Sequence, residues 1–118
     1  MAVRAATSSQ PSTNVHVIAW SGLTQASLDT GEPLTAYDYA DCSIQFGGTF
    51  GAGGTVIIEG SNDGVTYFTL NDVQAAALSK TAAGISQLAE LARFIRPRIS
   101  AGDGTTSVTV TLYGRRPR

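Results

Sequence analysis

Apolar and polar side chains alternate with a period of two through much of this 118-residue chain. In residues 41–50, Cys42, Ile44 and Phe46 fall on one side and Asp41, Ser43 and Gln45 on the other, the pattern of a strand with one buried face. Residues 107–113 repeat it, with Val108, Val110 and Leu112 inward and Thr109, Thr111 and Tyr113 outward. Residues 94–101 set Ile95, Pro97 and Ile99 against Phe94, Arg96 and Arg98. Pro97 assigns that strand to an edge or a bulge, because proline has no N–H to give to a ladder. Residues 15–20 are largely apolar on both sides, Val15, Val17 and Ala19 against His16, Ile18 and Trp20, as in a strand covered on both faces.

The middle of the chain announces a hairpin. Two runs rich in β-branched and aromatic residues, 55–60 and 65–70, flank Ser61-Asn62-Asp63-Gly64. Gly takes positive φ at no steric cost and Asp bonds its own backbone, so Asp63-Gly64 is a favoured tight turn. Glycine clusters at 47–48, 51–54 and 102–104 mark further turns, and residues 21–36 read as a long connection with at most one short strand. In residues 73–92 the recurrence of Ile85, Leu88 and Leu91 predicts a helical turn or two around 87–92, with Gly84 and Thr81 opposing anything longer. Six to eight short strands with turns at this spacing predict an all-β fold, an antiparallel β-sandwich or jelly roll. Residues 1–13 are polar, aperiodic and contain Pro11, so they read as a flexible arm. The sandwich domain is assigned to 14–114 and a basic tail to 115–118.

Composition fits this picture. Val, Ile and Thr are abundant, glycine is high at 13, and charged residues are only 14% of the chain, where about 25% is usual. Net charge is −1 but unevenly spread. Residues 5–79 hold seven acids and no Lys or Arg, whereas residues 80–118 hold seven bases against Glu90 and Asp103. Such asymmetry suits head-to-tail contact between copies or docking on an acidic partner. The overall balance argues against nucleic acid. No run reaches membrane-spanning length, and residues 1–13 lack the apolar core of a signal peptide, so neither a membrane nor export is expected.

Groups for catalysis are few. His16 is the only histidine, within an apolar strand, and Cys42 the only cysteine, on the inward face of its strand, so no nucleophile–base pair, zinc site or disulfide is expected. Asp38 and Asp41 read as solvated, and Asn62, Asp63 and Asp103 as turn formers rather than calcium ligands. Residues 51–54 lack the Lys and helix that a phosphate loop needs. The reading is a non-enzyme with no cofactor and no metal. Binding groups are more prominent: Arg96 and Arg98 share a strand face with Phe94, and guanidinium forks on a sheet face bond carboxylates bidentately.

Taken together, E-G-S-N-D-G-V-T-Y-F-T-L (59–70), L-A-R-F-I-R-P-R-I-S (91–100) and T-S-V-T-V-T-L-Y-G-R-R (106–116) resemble the small jelly-roll cement or decoration proteins of tailed-bacteriophage capsids. The resemblance covers roughly residues 42–116. It implies a homo-oligomer, dimer or trimer, made in the host cytoplasm and set on the capsid exterior. There it would bind the major capsid protein and bridge neighbouring capsomers. Arg4 of the arm, Arg96, Arg98, Arg115, Arg116 and Arg118 are then the expected capsid or subunit contacts, with Asn62 and Asp63 as loop contacts. The same turn and the later R-F-I-R strand also resemble discoidin-type carbohydrate-binding jelly rolls. That alternative expects an exposed aromatic, Tyr67 or Trp20, beside the 61–64 loop.

Overall fold

The alternating runs form strands in the structure, a computed structural model that describes residues 2–26, 28–36 and 39–116. Among the described residues there are twelve strands and no helix. β3 (Val15–Thr24), β6 (Asp41–Thr49) and β12 (Ser107–Arg115) make the body of one sheet, with β2 (Ala6–Ser12) and β10 (Gly84–Gln87) at its edges. Its order is β10-β6-β12-β3-β2, antiparallel throughout. β7 (Thr55–Ser61) and β11 (Phe94–Ala101) make the body of the second sheet. On one side of that pair lie β1 (Val3–Arg4), β4 (Thr30–Gly31) and β5 (Leu34–Thr35), and on the other β8 (Phe68–Thr69) and β9 (Ser79–Lys80). Only β1 and β4 pair in parallel among the described strands.

The two sheets pack into a β-sandwich on the faces that period two specifies. Ile18, Trp20, Ile44, Phe46, Val108, Val110 and Leu112 of the first sheet meet Val56, Ile58, Ile95 and Ile99 of the second, none more than 3% exposed. Burial of side chains of this size is worth about 1.5–3 kcal/mol each, which makes this layer the main source of stability. Trp20 keeps its indole satisfied, Nε1 donating to Glu32 O at 2.9 Å.

The chain crosses between sheets at 50–54 and again at 102–106, and Asp103 ties the two crossings together. Its Oδ2 accepts from Ala52 N–H at 2.8 Å, and its Oδ1 from Thr105 N–H at 2.8 Å and the Thr105 hydroxyl at 2.6 Å. The buried Thr106 hydroxyl donates to Phe50 O at 2.7 Å, closing the same staple.

Several placements differ from the sequence expectations. No helix forms at 87–92: Leu88 N–H donates sideways to Cys42 O and Ala89 N–H to Asn71 O, because the strand before them, β10, lies along the edge of β6. Ile85, Leu88 and Leu91 share no buried face, Ile85 being 67% and Leu88 only 4% exposed. Pro97 is not at an edge, since β11 has neighbours on both sides, and the irregularity in the pairing of β11 with β7 falls beyond it, between Ile99 and Ala101. It opposes Ile58, whose N–H and C=O are turned away from β11 to Leu78 and Leu70. The proline nitrogen therefore faces the break between β4 and β5, where no donor is needed. Residues 21–36 contain β4 and β5 as well as the end of β3, and residues 2–12 are placed as strands β1 and β2 on the sandwich. The hairpin is observed, but β8 is two residues long and the principal partner of β7 is β11.

Candidate interaction surfaces

On the outer face of the second sheet the register sets Arg96 opposite Glu59 and Arg98 opposite Ile57. Both arginines turn to the same carboxylate, Arg96 Nε to Glu59 Oε1 at 2.8 Å and Arg98 Nε to Glu59 Oε2 at 3.1 Å. Glu59 is thereby only 5% exposed, although it stands on an outer face. The Arg96 guanidinium also lies 3.7 Å from the centroid of the Tyr67 ring, and that of Arg93 lies 4.9 Å from the centroid of the Phe94 ring. The pairing expected of Arg96 and Arg98 with a carboxylate thus begins inside the chain.

The other arginines are also engaged. Arg4 Nε donates to the fully buried Asp29 Oδ2 at 2.7 Å. Burial works to raise the Asp29 carboxyl, but hydrogen bonds from Thr24 and Arg4 outweigh it and leave it below its ordinary value. Arg115 grips Asp41 with two bonds, Nε to Oδ1 at 3.2 Å and Nη2 to Oδ2 at 2.6 Å. Arg116 Nη2 lies 3.1 and 3.2 Å from the two ring nitrogens of His16, whose Nδ1 is 3.0 Å from the hydroxyl of Tyr39. Arg118 and Asp38 lie outside the described residues. In every ion pair of the described residues the acid belongs to 29–72, and the base is Arg4 or lies in 80–115. The charge asymmetry along the sequence is therefore met within one chain, because β7 pairs with β11 and β6 with β12.

The outer face of the first sheet is different in kind. Its register gives the cross-strand rows Ile85–Gln45–Thr111–Ala19–Thr7 and Gln87–Ser43–Tyr113–Val17–Ser9. Neither row contains a charge. Asp41 and Arg115 stand at the next row and neutralise each other. A shallow depression of about 390 Å³ lies between Ile85 and Tyr113, which are 67% and 44% exposed.

The 61–64 loop is built by its own side chains. Thr66 and Val65 N–H and the Ser61 hydroxyl all donate to Asp63 Oδ1, holding that carboxyl down at about 2. Asn62 Oδ1 accepts from Arg93 N–H at 2.9 Å, joining the loop to the start of β11. Beside it opens a cleft of about 480 Å³ lined by Asn62, Asp63, Thr66, Phe68, Thr69 and Glu90 among others. The exposed aromatic here is Phe68, at 69%. Trp20 is buried in the core and Tyr67 is covered by Arg96, so neither matches the expectation of an open aromatic. Sequence reading missed Phe68 because a two-residue β8 turns it outward.

His16 and Cys42 do not meet as a catalytic pair: the neighbours of His16 are Tyr39 and Arg116. Cys42 is buried, and burial with the adjacent Asp41 charge pushes its thiol up to about 12. Among the described residues no group of three or more His, Cys, Asp or Glu is placed to hold a metal ion. Compared with known proteins, the chain matches no protein-family model and no curated sequence.

Proposed function

We propose that this chain is a non-enzymatic virion structural protein, a cement or decoration protein of a bacteriophage capsid that binds the outer shell and bridges neighbouring capsomers. Its partners are the major capsid protein and further copies of itself, as a dimer or trimer. The observation that carries the reading is the pair of charge-free rows that run across all five strands on the outer face of the first sheet. Interface cores are depleted in charge, and a neutral face of Thr, Ser, Val, Gln and Tyr can be covered without stripping water from an ion. With strands about 4.8 Å apart and rows about 7 Å apart, these two rows across five strands cover roughly 20 by 14 Å, or about a third of one side of a standard interface. A modest interface between copies suffices where each copy is also held to the shell. The test is to add purified protein to heads that lack it and follow DNA release on heating or osmotic shock. Release at higher temperature with the protein bound supports the reading, and unchanged release refutes it.

A second reading, a carbohydrate-binding module, is favoured by one observation: the exposed Phe68 ring beside the polar cleft at Asn62 and Asp63. An aromatic platform flanked by amide and carboxylate groups suits a sugar ring. A glycan array would show saturable binding lost in Phe68→Ala if this reading holds.

A further inference from the structure

The outer face of the second sheet keeps positive charge that folding does not consume. Arg96 and Arg98 share one acid, Glu59, and spend only their Nε atoms on it. Their Nη groups make no hydrogen bond within the described residues. Arg93 adds a third guanidinium over Phe94, a ring on the same face, and Arg93 forms no ion pair within the described residues. On the sheet face three bases therefore stand against one acid, and Asp63 in the adjoining 61–64 loop leaves the balance positive.

These guanidiniums are held before any partner arrives. The bond to Glu59 fixes Arg96 and Arg98, and the rings of Tyr67 and Phe94 lie against Arg96 and Arg93. Side-chain entropy that a flexible lysine would lose on binding has already been lost in folding. The stacking also decides what the face can read. With a flat side already covered by a ring of this chain, Arg96 and Arg93 have less to offer as platforms for nucleobases. What remains outward are N–H edges, whose fork geometry matches a carboxylate.

We infer that this face docks on a carboxylate-rich surface of a partner protein, with Arg93, Arg96 and Arg98 as the contacting residues. The identity of that partner as the capsid shell rests on the function proposed above, whereas the chemistry of the face does not. It also gives the sandwich two unlike sides, a cationic one for the acidic partner and a neutral one for copies of itself.

Poly-L-glutamate, titrated by fluorescence anisotropy at low and high salt, is the probe. Arg93→Gln removes a charge that holds nothing else in place. The triple variant E59Q/R96Q/R98Q removes both shared arginines without stranding a buried carboxylate, and its cooperative melting shows that it is folded. Arg93→Gln should weaken binding about threefold to fivefold and the triple variant about tenfold or more, with the salt dependence reduced. Lys80→Gln, off this face, should bind as the wild type does. Wild-type affinity in Arg93→Gln and in a folded triple variant would overturn the inference. Tighter binding to duplex DNA than to polyglutamate, with the same arginine dependence, would overturn the partner class. The two proposals can fail separately. Heads that bind wild type and variants alike would refute the docking face and leave the capsid role standing. Arginine-dependent polyglutamate binding without head binding would refute the capsid role and leave the face standing.

Discussion

Gly31 shows how closely single residues are fitted. A Cβ there would lie 2.5 Å from Pro97 Cδ and 2.7 Å from Trp20 Cδ1, both held in the core. Neither ring can retreat, so Gly31→Ala should destabilise the fold by about 1–3 kcal/mol. Chemical denaturation should show a lower midpoint with an unchanged slope. Asp63 and Asp103 act through charge instead. Both carboxyls are held down at about 2, Asp63 by the N–H groups of Thr66 and Val65, Asp103 by the Thr105 hydroxyl and Ala52 N–H. A depressed folded-state pKa contributes stability that is present above the unfolded value of about 3.9 and is lost as pH falls towards 2. The melting temperature should therefore decline between about pH 4 and pH 2, and the decline should flatten in D63N/D103N. A decline of equal steepness in that variant would show that other carboxylates govern acid unfolding.

At the scale of elements, what was legible in the sequence and what was not follows from the range of the forces. Strand faces are set locally, so Cys42, Ile44 and Phe46, Ile95 and Ile99, and Val108, Val110 and Leu112 could be read inward from alternation alone, and all are buried. Pairing is not local. Nothing in Ala6–Ser12 distinguishes a free arm from an edge strand, because its hydrogen bonds come from β3, which follows it. Leu88 mimicked a helical period while its backbone was drawn to Cys42. The arginines expected as contacts were recognised by type, but the partners of those described lie 25 to 100 residues away and only folding brings them together. Deletion of residues 1–12 tests the role of β2. The buried core begins at Ile18, so the truncated chain should still melt cooperatively, at a lower temperature because the buried Asp29 loses Arg4. It would expose the ten-residue edge of β3, a template for strand addition. Light scattering should then show concentration-dependent growth that the full chain lacks, and a monodisperse truncated protein would show that β2 does not guard that edge.

For the whole molecule, the account depends on two sheet faces of opposite character on one rigid sandwich. Folding pairs the acids of the front of the chain with the bases of its rear, which leaves one outer face with no net charge and the other with an excess of guanidinium. Thr111 lies at the centre of the neutral face. A charge placed there would meet its own copy across a symmetric interface, where like charges cost several kcal/mol. Thr111→Glu should therefore weaken self-association by about tenfold or more while the melting curve changes little, as analytical ultracentrifugation would show. The most direct measurement of the central claim is co-sedimentation of the purified protein with phage heads that lack it, counting the copies bound per head at saturation. The account predicts saturable binding at a number set by symmetry-related sites on the shell. Absence of binding, or binding that rises without saturating, would contradict it.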